Sequence, residues 1–104
     1  MPSARETVEA AIAANPVIVY SKSWCAYCSR TKALLKELGA TFEVVELDII
    51  ADGDDQLDAL KALTGQATVP NTFIGGKSIG GNSDIQKLHK DKKLVSKLQA
   101  VSAL

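Results

Sequence analysis

Cys25 and Cys28 are the only cysteines of the chain. They stand three apart in Trp24-Cys25-Ala26-Tyr27-Cys28, directly after the apolar run Val17-Ile18-Val19-Tyr20 and before Leu34, Leu35 and Leu38, which recur at helical spacing. A Cys-x-x-Cys between a strand and a helix is a candidate thiol–disulfide exchange site. The reacting species there is the thiolate, and an ordinary cysteine, titrating near ~8.5, is only a few per cent ionised at neutral pH. Cys25 falls at or just before the first helical turn, where free N–H groups and the helix dipole favour an anion. Lys22, Arg30 and Lys32 bring positive charge nearby. Cys25 is therefore expected to be a nucleophile of lowered pKa. Cys28, one turn further in and more buried, suits a resolving thiol. The spacing lets the two sulfurs join across one turn.

Two other readings fit a cysteine pair taken alone. It can be an inert core pair or a permanent disulfide, and it can be half of a zinc site. A closed structural zinc site takes four protein ligands, and the chain offers one histidine, His89, and no second Cys pair.

At 104 residues the chain has the length of one domain, and an apolar share of 46% supplies a core. Twelve basic side chains balance twelve acidic ones, which gives no argument for a nucleic-acid or membrane partner. The charges are unevenly placed. Residues 37–58 carry eight acidic side chains and no Lys or Arg, whereas from Lys77 onward six lysines face two aspartates. Such runs read as two solvated faces, or as a dipole that orients an anionic substrate or a partner protein. No apolar run reaches the length of a membrane span, and Met1-Pro2-Ser3-Ala4-Arg5 opens no signal-peptide core. A reducing cytoplasmic location is the expectation.

The elements that must position the cysteines follow from the pattern. Ser3 with Glu6 is a capping box that starts a helix carrying Val8, Ala11 and Ile12 and ending at Asn15-Pro16. Val17–Ser21 reads as a buried strand, 26–38 as the helix behind the cysteines, and Thr41–Leu47 as a second strand. Asp52-Gly53 turns into a helix over about 54–64, stopped at Gly65. Val69–Ile74 leads into a third strand, Gly75-Gly76 reverses it into Lys77–Ile79, and Gly80-Gly81 opens a helix with Ile85 and Leu88. A last helix carries Leu94, Leu98 and Val101. A helix crossover makes the first two strands parallel, and a tight turn makes the last two a hairpin. The expected class is α/β, a four-stranded mixed sheet flanked by about five helices.

Several motifs at these separations resemble the glutaredoxins, in the thioredoxin-like superfamily: Lys22-Ser23-Trp24-Cys25-Ala26-Tyr27-Cys28, Leu63-Thr64-Gly65, Thr68-Val69-Pro70 and Gly80-Gly81-Asn82-Ser83-Asp84. The resemblance runs through the whole chain, as one glutaredoxin domain over 1–104, and implies a thioredoxin-like fold of the dithiol class. It implies a glutathione-dependent oxidoreductase that reduces glutathionylated proteins and mixed disulfides through Cys25, with Cys28 resolving. Pro70 would follow a cis peptide bond, leaving the Val69 backbone to pair with the cysteinyl part of glutathione, with Thr68 beside it. The N–H groups at Gly81, Asn82 and Ser83 would take the γ-glutamyl carboxylate, and Asp84 the ammonium. Read without the resemblance, that run is a plain helix cap. Lys22 would hold the glycyl carboxylate and Tyr27 would border the glutathione sulfur.

Three departures bear on this. Ala26 stands where the common dithiol form has proline, which frees an N–H and loosens the turn. Relatives lacking that proline include some that hold a [2Fe–2S] cluster between two subunits, with one cysteine from each and two glutathiones; Trp24 also resembles that subgroup. Cys25 is then a candidate cluster ligand and the chain a homodimer, otherwise a monomer. Ala67 replaces a frequent Arg or Lys, and Leu57, next to Gln56, occupies the place of a frequent Gln. The glycyl carboxylate then leans on Lys22. The rival to an oxidoreductase is an iron–sulfur carrier or sensor module of low redox activity. A thioredoxin proper lacks support, because no Gly-Pro separates the cysteines.

Overall fold

The computed structural model describes residues 2–104. Helix α1 (Ala4–Ala14) begins with the expected capping box: the Ser3 hydroxyl accepts from the Glu6 N–H at 3.2 Å and Glu6 accepts from the Ser3 N–H at 3.1 Å. The chain continues through β1 (Val17–Ser21), α2 (Ala26–Glu37), β2 (Glu43–Glu46), α3 (Gly53–Thr64), β3 (Asn71–Ile74), β4 (Lys77–Gly80), α4 (Asn82–Lys90) and α5 (Leu94–Ala100). Gly65, at φ +79°, closes α3 in the left-handed conformation that glycine adopts without a side-chain clash.

The strands lie in the order β2-β1-β3-β4, with β1 parallel to β2 and antiparallel to β3, and β3 antiparallel to β4. This is the expected four-stranded mixed sheet, flanked among the described residues by five helices. Strand β1 is central and buried along its whole length, so its alternating side chains serve two cores. Val17 and Val19 join Leu34, Leu35, Ile74, Ile85, Leu94 and Leu98 on the α2, α4 and α5 side. Ile18 and Tyr20 join Val8, Leu47, Ala59, Leu60 and Phe73 on the α1 and α3 side. Replacing fully buried Leu35 or Leu60 by alanine would remove about 2–5 kcal/mol of stability from either core.

Strand β2 is shorter than the hydrophobic pattern suggests. Thr41 donates its N–H to the Ala103 carbonyl at 2.8 Å, so the chain reaches the sheet only from Glu43 onward. The pattern reported apolar positions correctly but not which backbone partner they face. Helix α3 starts at Gly53 itself. A Cβ there would strike the Leu47 carbonyl, so Gly53 lets α3 enter directly against the end of β2.

Tyr20 is fully buried, packs edge-on against Phe73 at 6.0 Å between ring centroids, and has no hydrogen-bond partner for its hydroxyl among the described residues. Burial pushes its pKa up to about 12. An unfolded tyrosine ionises near ~10. The stability associated with the neutral phenol is therefore complete below pH 10 and is lost as pH rises toward 12. Tyr20→Phe should be at least as stable as the native chain at neutral pH, because an unpaired buried hydroxyl is removed. In denaturant titrations its advantage should widen, on the order of 2 kcal/mol, between pH 10 and pH 12; an unchanged gap would mean that Tyr20 is hydrated in the folded state.

Candidate active site

Cys25 is the N-cap residue of α2, in extended conformation at φ −83° and ψ 121°. Its sulfur accepts the Cys28 N–H at 3.3 Å, where a Ser or Asp oxygen accepts in most capped helices. Its carbonyl accepts from the Ser29 N–H at 3.1 Å, and its own N–H donates to the Lys22 carbonyl at 3.1 Å. The sulfur is thus fixed at the positive end of the helix. Both cysteines are thiols; Cys25 is 9% exposed and Cys28 fully buried.

The two thiols are driven apart in acidity. Burial opposes ionisation of Cys25 and is the largest single influence on it. Donation from the Cys28 thiol and from the backbone N–H groups of Cys28 and Tyr27, with the charge of Lys32, outweighs burial and lowers the Cys25 pKa. Burial pushes the Cys28 thiol up, and its hydrogen bond to the Cys25 sulfur pushes it further. The nearby Lys22 backbone and Ser21 side chain oppose that rise without cancelling it. Of the nearby cations, Lys32 acts on Cys25 while pairing with Glu46 at 2.8 Å. Lys22 lies over the Trp24 ring at 5.7 Å and Arg30 over the Tyr27 ring at 5.3 Å.

Beside the thiols runs an open groove of about 470 Å³, lined by Tyr27, Thr68, Val69, Pro70, Gly81, Asn82 and Ser83. The Val69–Pro70 peptide is cis, as expected. Three segments distant in sequence therefore meet: the N-terminus of α2, the loop before β3, and the N-terminus of α4. Gly81 caps α4, and its N–H donates to the Asp84 carboxylate at 2.9 Å. Asn82 looks inward, accepting from the Thr31 hydroxyl at 3.0 Å and so tying α4 to α2. Asp84 lines a neighbouring depression with Lys87 and Lys97, and Lys22 lies on the Trp24 side of Cys25. A larger cavity, about 700 Å³ between α1, the end of α3 and the β3–β4 turn, contains none of the residues expected at the site.

The glutaredoxin family model matches residues 17–79, a stretch that holds both cysteines and the cis proline. The chain belongs to the glutaredoxin family. Glutaredoxin-C6 of Oryza sativa subsp. japonica is 48% identical over 104 residues, covering 100% of this chain and 89% of the relative. The crystal structure of the buckwheat glutaredoxin–glutathione complex superposes with a TM-score of 0.96 at 46% identity, over 97% of this chain and 92% of that one. The holo form of glutaredoxin C1 from Populus tremula × tremuloides gives a TM-score of 0.93 at 42% identity, over 95% and 98%. Glutaredoxins are glutathione-dependent thiol–disulfide oxidoreductases, and this chain is an enzyme of that kind.

Several residues that shape this glutaredoxin's site were not singled out by motif. Asp48 accepts the Ser23 N–H at 2.9 Å and also the Ser23 hydroxyl, and those two bonds hold its carboxyl below the usual range. Asp48 thereby anchors the Lys22-Ser23-Trp24 segment that leads into Cys25. Glu46 accepts from the Ser21 hydroxyl at 3.0 Å as well as from Lys32. Both acids lie in the acidic run, so that run is not merely a solvated face. Their partners stand 14 to 25 positions away, beyond the reach of any local signal. Among the described residues, no three His, Cys, Asp or Glu side chains group to hold a metal, and no helix is long and apolar enough to cross a membrane. Asp48 is exposed, so Asp48→Ala should leave both cores intact while the Ser23 amide exchanges its hydrogen about tenfold faster or more. Hydrogen-exchange NMR, with the β1 amides as an internal standard, measures this; unchanged Ser23 exchange would show that the segment is held by other contacts.

Proposed function

We propose that Cys25 is the nucleophile of a deglutathionylating glutaredoxin and that the groove beside it binds glutathione. The observation that carries this reading is the Cys25 sulfur at the N-cap of α2, lowered in pKa and next to a groove framed by Tyr27, Val69 and Ser83. Its support from relatives is the buckwheat glutaredoxin, solved as a complex with glutathione. The Cys25 thiolate attacks the glutathione sulfur of a protein–glutathione disulfide. A Cys25–glutathione disulfide forms and the protein thiolate leaves, taking a proton. A second glutathione thiolate then attacks the glutathione sulfur on Cys25, releasing glutathione disulfide and restoring the Cys25 thiolate. In the dithiol route the Cys28 thiolate attacks the Cys25 sulfur instead, expelling glutathione as its thiolate, and two glutathiones then reduce the Cys25–Cys28 disulfide.

In this reading the Val69 backbone, between Thr68 and Pro70, pairs with the cysteinyl residue of glutathione. The N–H groups of Asn82 and Ser83 at the start of α4 take the γ-glutamyl carboxylate, with Gly81 beside them holding Asp84 through its own N–H; Asp84 takes the ammonium, Lys22 takes the glycyl carboxylate, and Tyr27 borders the sulfur. Partners are glutathione and glutathionylated proteins, and the compartment is a reducing one, for which we assign the cytoplasm. A second reading rests on the burial of Cys28, which leaves one accessible sulfur per chain. A [2Fe–2S] cluster takes four thiolates, so Cys25 would hold one only across two chains with two glutathione thiols completing the set. That fits a homodimer in which the cluster blocks the nucleophile.

Glutathione-driven reduction of a glutathionylated peptide should vanish in Cys25→Ser and persist in Cys28→Ser. Absence of turnover in the metal-free native chain would overturn the enzymatic role of Cys25, and a brown, dimeric product of anaerobic reconstitution with glutathione would then favour cluster binding.

A further inference from the structure

The segment Gln66–Pro70 carries the Thr68, Val69 and Pro70 edge of the groove, yet among the described residues its backbone makes no hydrogen bond to other backbone outside the strand it leads into. Thr68 is exposed and Val69 only half-buried. A segment with so few backbone restraints samples many shapes unless something else holds it. One residue supplies the polar restraint. The Gln66 side-chain amide donates to the Thr68 carbonyl at 2.9 Å and to the Pro70 carbonyl at 3.0 Å. These two acceptors flank Val69, and the two N–H bonds use both donors of one amide.

Gln66 is itself anchored. Its backbone N–H donates to the Thr64 hydroxyl at 3.1 Å, that hydroxyl donates to the Leu60 carbonyl at 2.8 Å, and it also accepts from Asn71 at 3.3 Å. Asn71 in turn accepts from Ser78 on β4 at 2.9 Å. A connected set of hydrogen bonds thus runs from α3 and the hairpin to the carbonyls on either side of Val69.

We propose that Gln66 is a positioning residue that sets glutathione affinity, by clamping the Thr68 and Pro70 carbonyls so that the Val69 backbone stays in shape to pair with the cysteinyl residue of glutathione. This rests on the reading of the groove as the glutathione site. Gln66 touches no reacting atom; it acts through Thr68–Pro70. It makes a double donor necessary: a leucine fills the volume without donating, and a glutamate at neutral pH is acceptor-only and faces two carbonyls. The charged groups that share the cavity behind the segment are Arg5 and Glu9, which pair with each other at 2.7 Å.

The test is steady-state kinetics with a glutathionylated peptide. Gln66→Leu should raise KM about tenfold, the scale of one to two net hydrogen bonds, with kcat little changed and the Cys25 thiolate titration unmoved. Gln66→Glu should show a similar KM at pH 8, and its ratio to the native KM should fall as pH drops toward 5, because the protonated carboxyl regains a donor. A KM within twofold of native in folded Gln66→Leu, or a Gln66→Glu ratio independent of pH, overturns the proposal. If Gln66→Leu fails to fold, the pH dependence of Gln66→Glu decides alone. Absence of turnover in the native chain would instead overturn the function reading itself, so the two failures are distinguishable.

Discussion

The chemistry of this glutaredoxin depends on one local arrangement, a sulfur placed where a helix has N–H groups to spare. Cys25 caps α2 with its side chain, accepting the Cys28 N–H at 3.3 Å. Burial on its own would keep the thiol protonated, and its effect is the largest single one on Cys25. The sum of hydrogen bonds to the sulfur, the helix end and the Lys32 charge runs the other way and prevails. The hydrogen bond from the Cys28 thiol to the Cys25 sulfur lowers Cys25 and raises Cys28, so the two thiols are driven apart in acidity.

The rest of the fold holds that arrangement against solvent and against its neighbours. Strand β1 is buried on both faces, and its last residue, Ser21, hands the chain to the cysteine segment. Asp48, just past β2, fastens that segment through Ser23. Gly53 lets α3 close against Leu47, beside Asp48. On the other side Thr31 of α2 donates to Asn82 of α4, which sets the far wall of the groove relative to the thiols. The groove is thus assembled from elements held by the sheet, with the Gln66–Pro70 segment as its least restrained edge.

Much of this was legible in the sequence because its causes are local. The Cys-x-x-Cys spacing, the Ser3–Glu6 capping box, the short apolar run Val17–Tyr20 and the Gly75-Gly76 turn each encode structure within a few residues. All nine elements appear in the expected order, with β2 trimmed where Thr41 pairs with Ala103 instead of the sheet. The groove residues came from the glutaredoxin resemblance, since Thr-Val-Pro or Gly-Gly-Asn-Ser-Asp read as plain loop and cap without it. Asp48, Glu46 and Gln66 escaped notice for a physical reason. Two of them act on partners far away in sequence, and the third acts through a side-chain amide whose acceptors depend on how the loop folds back. An acidic run conceals such a residue because each acid in it looks alike.

The division of the two thiols is the central claim, and thiolate absorbance followed against pH measures it most directly. In Cys28→Ser the single remaining thiol, Cys25, should ionise below the ordinary value of about 8.5, held down by the backbone N–H groups of Tyr27 and of position 28 and by Lys32. In Cys25→Ser the remaining Cys28 should stay protonated beyond that value. A Cys25 that titrates at or above an ordinary cysteine would contradict the account, because the end of α2 would then not be stabilising the thiolate on which every later step depends.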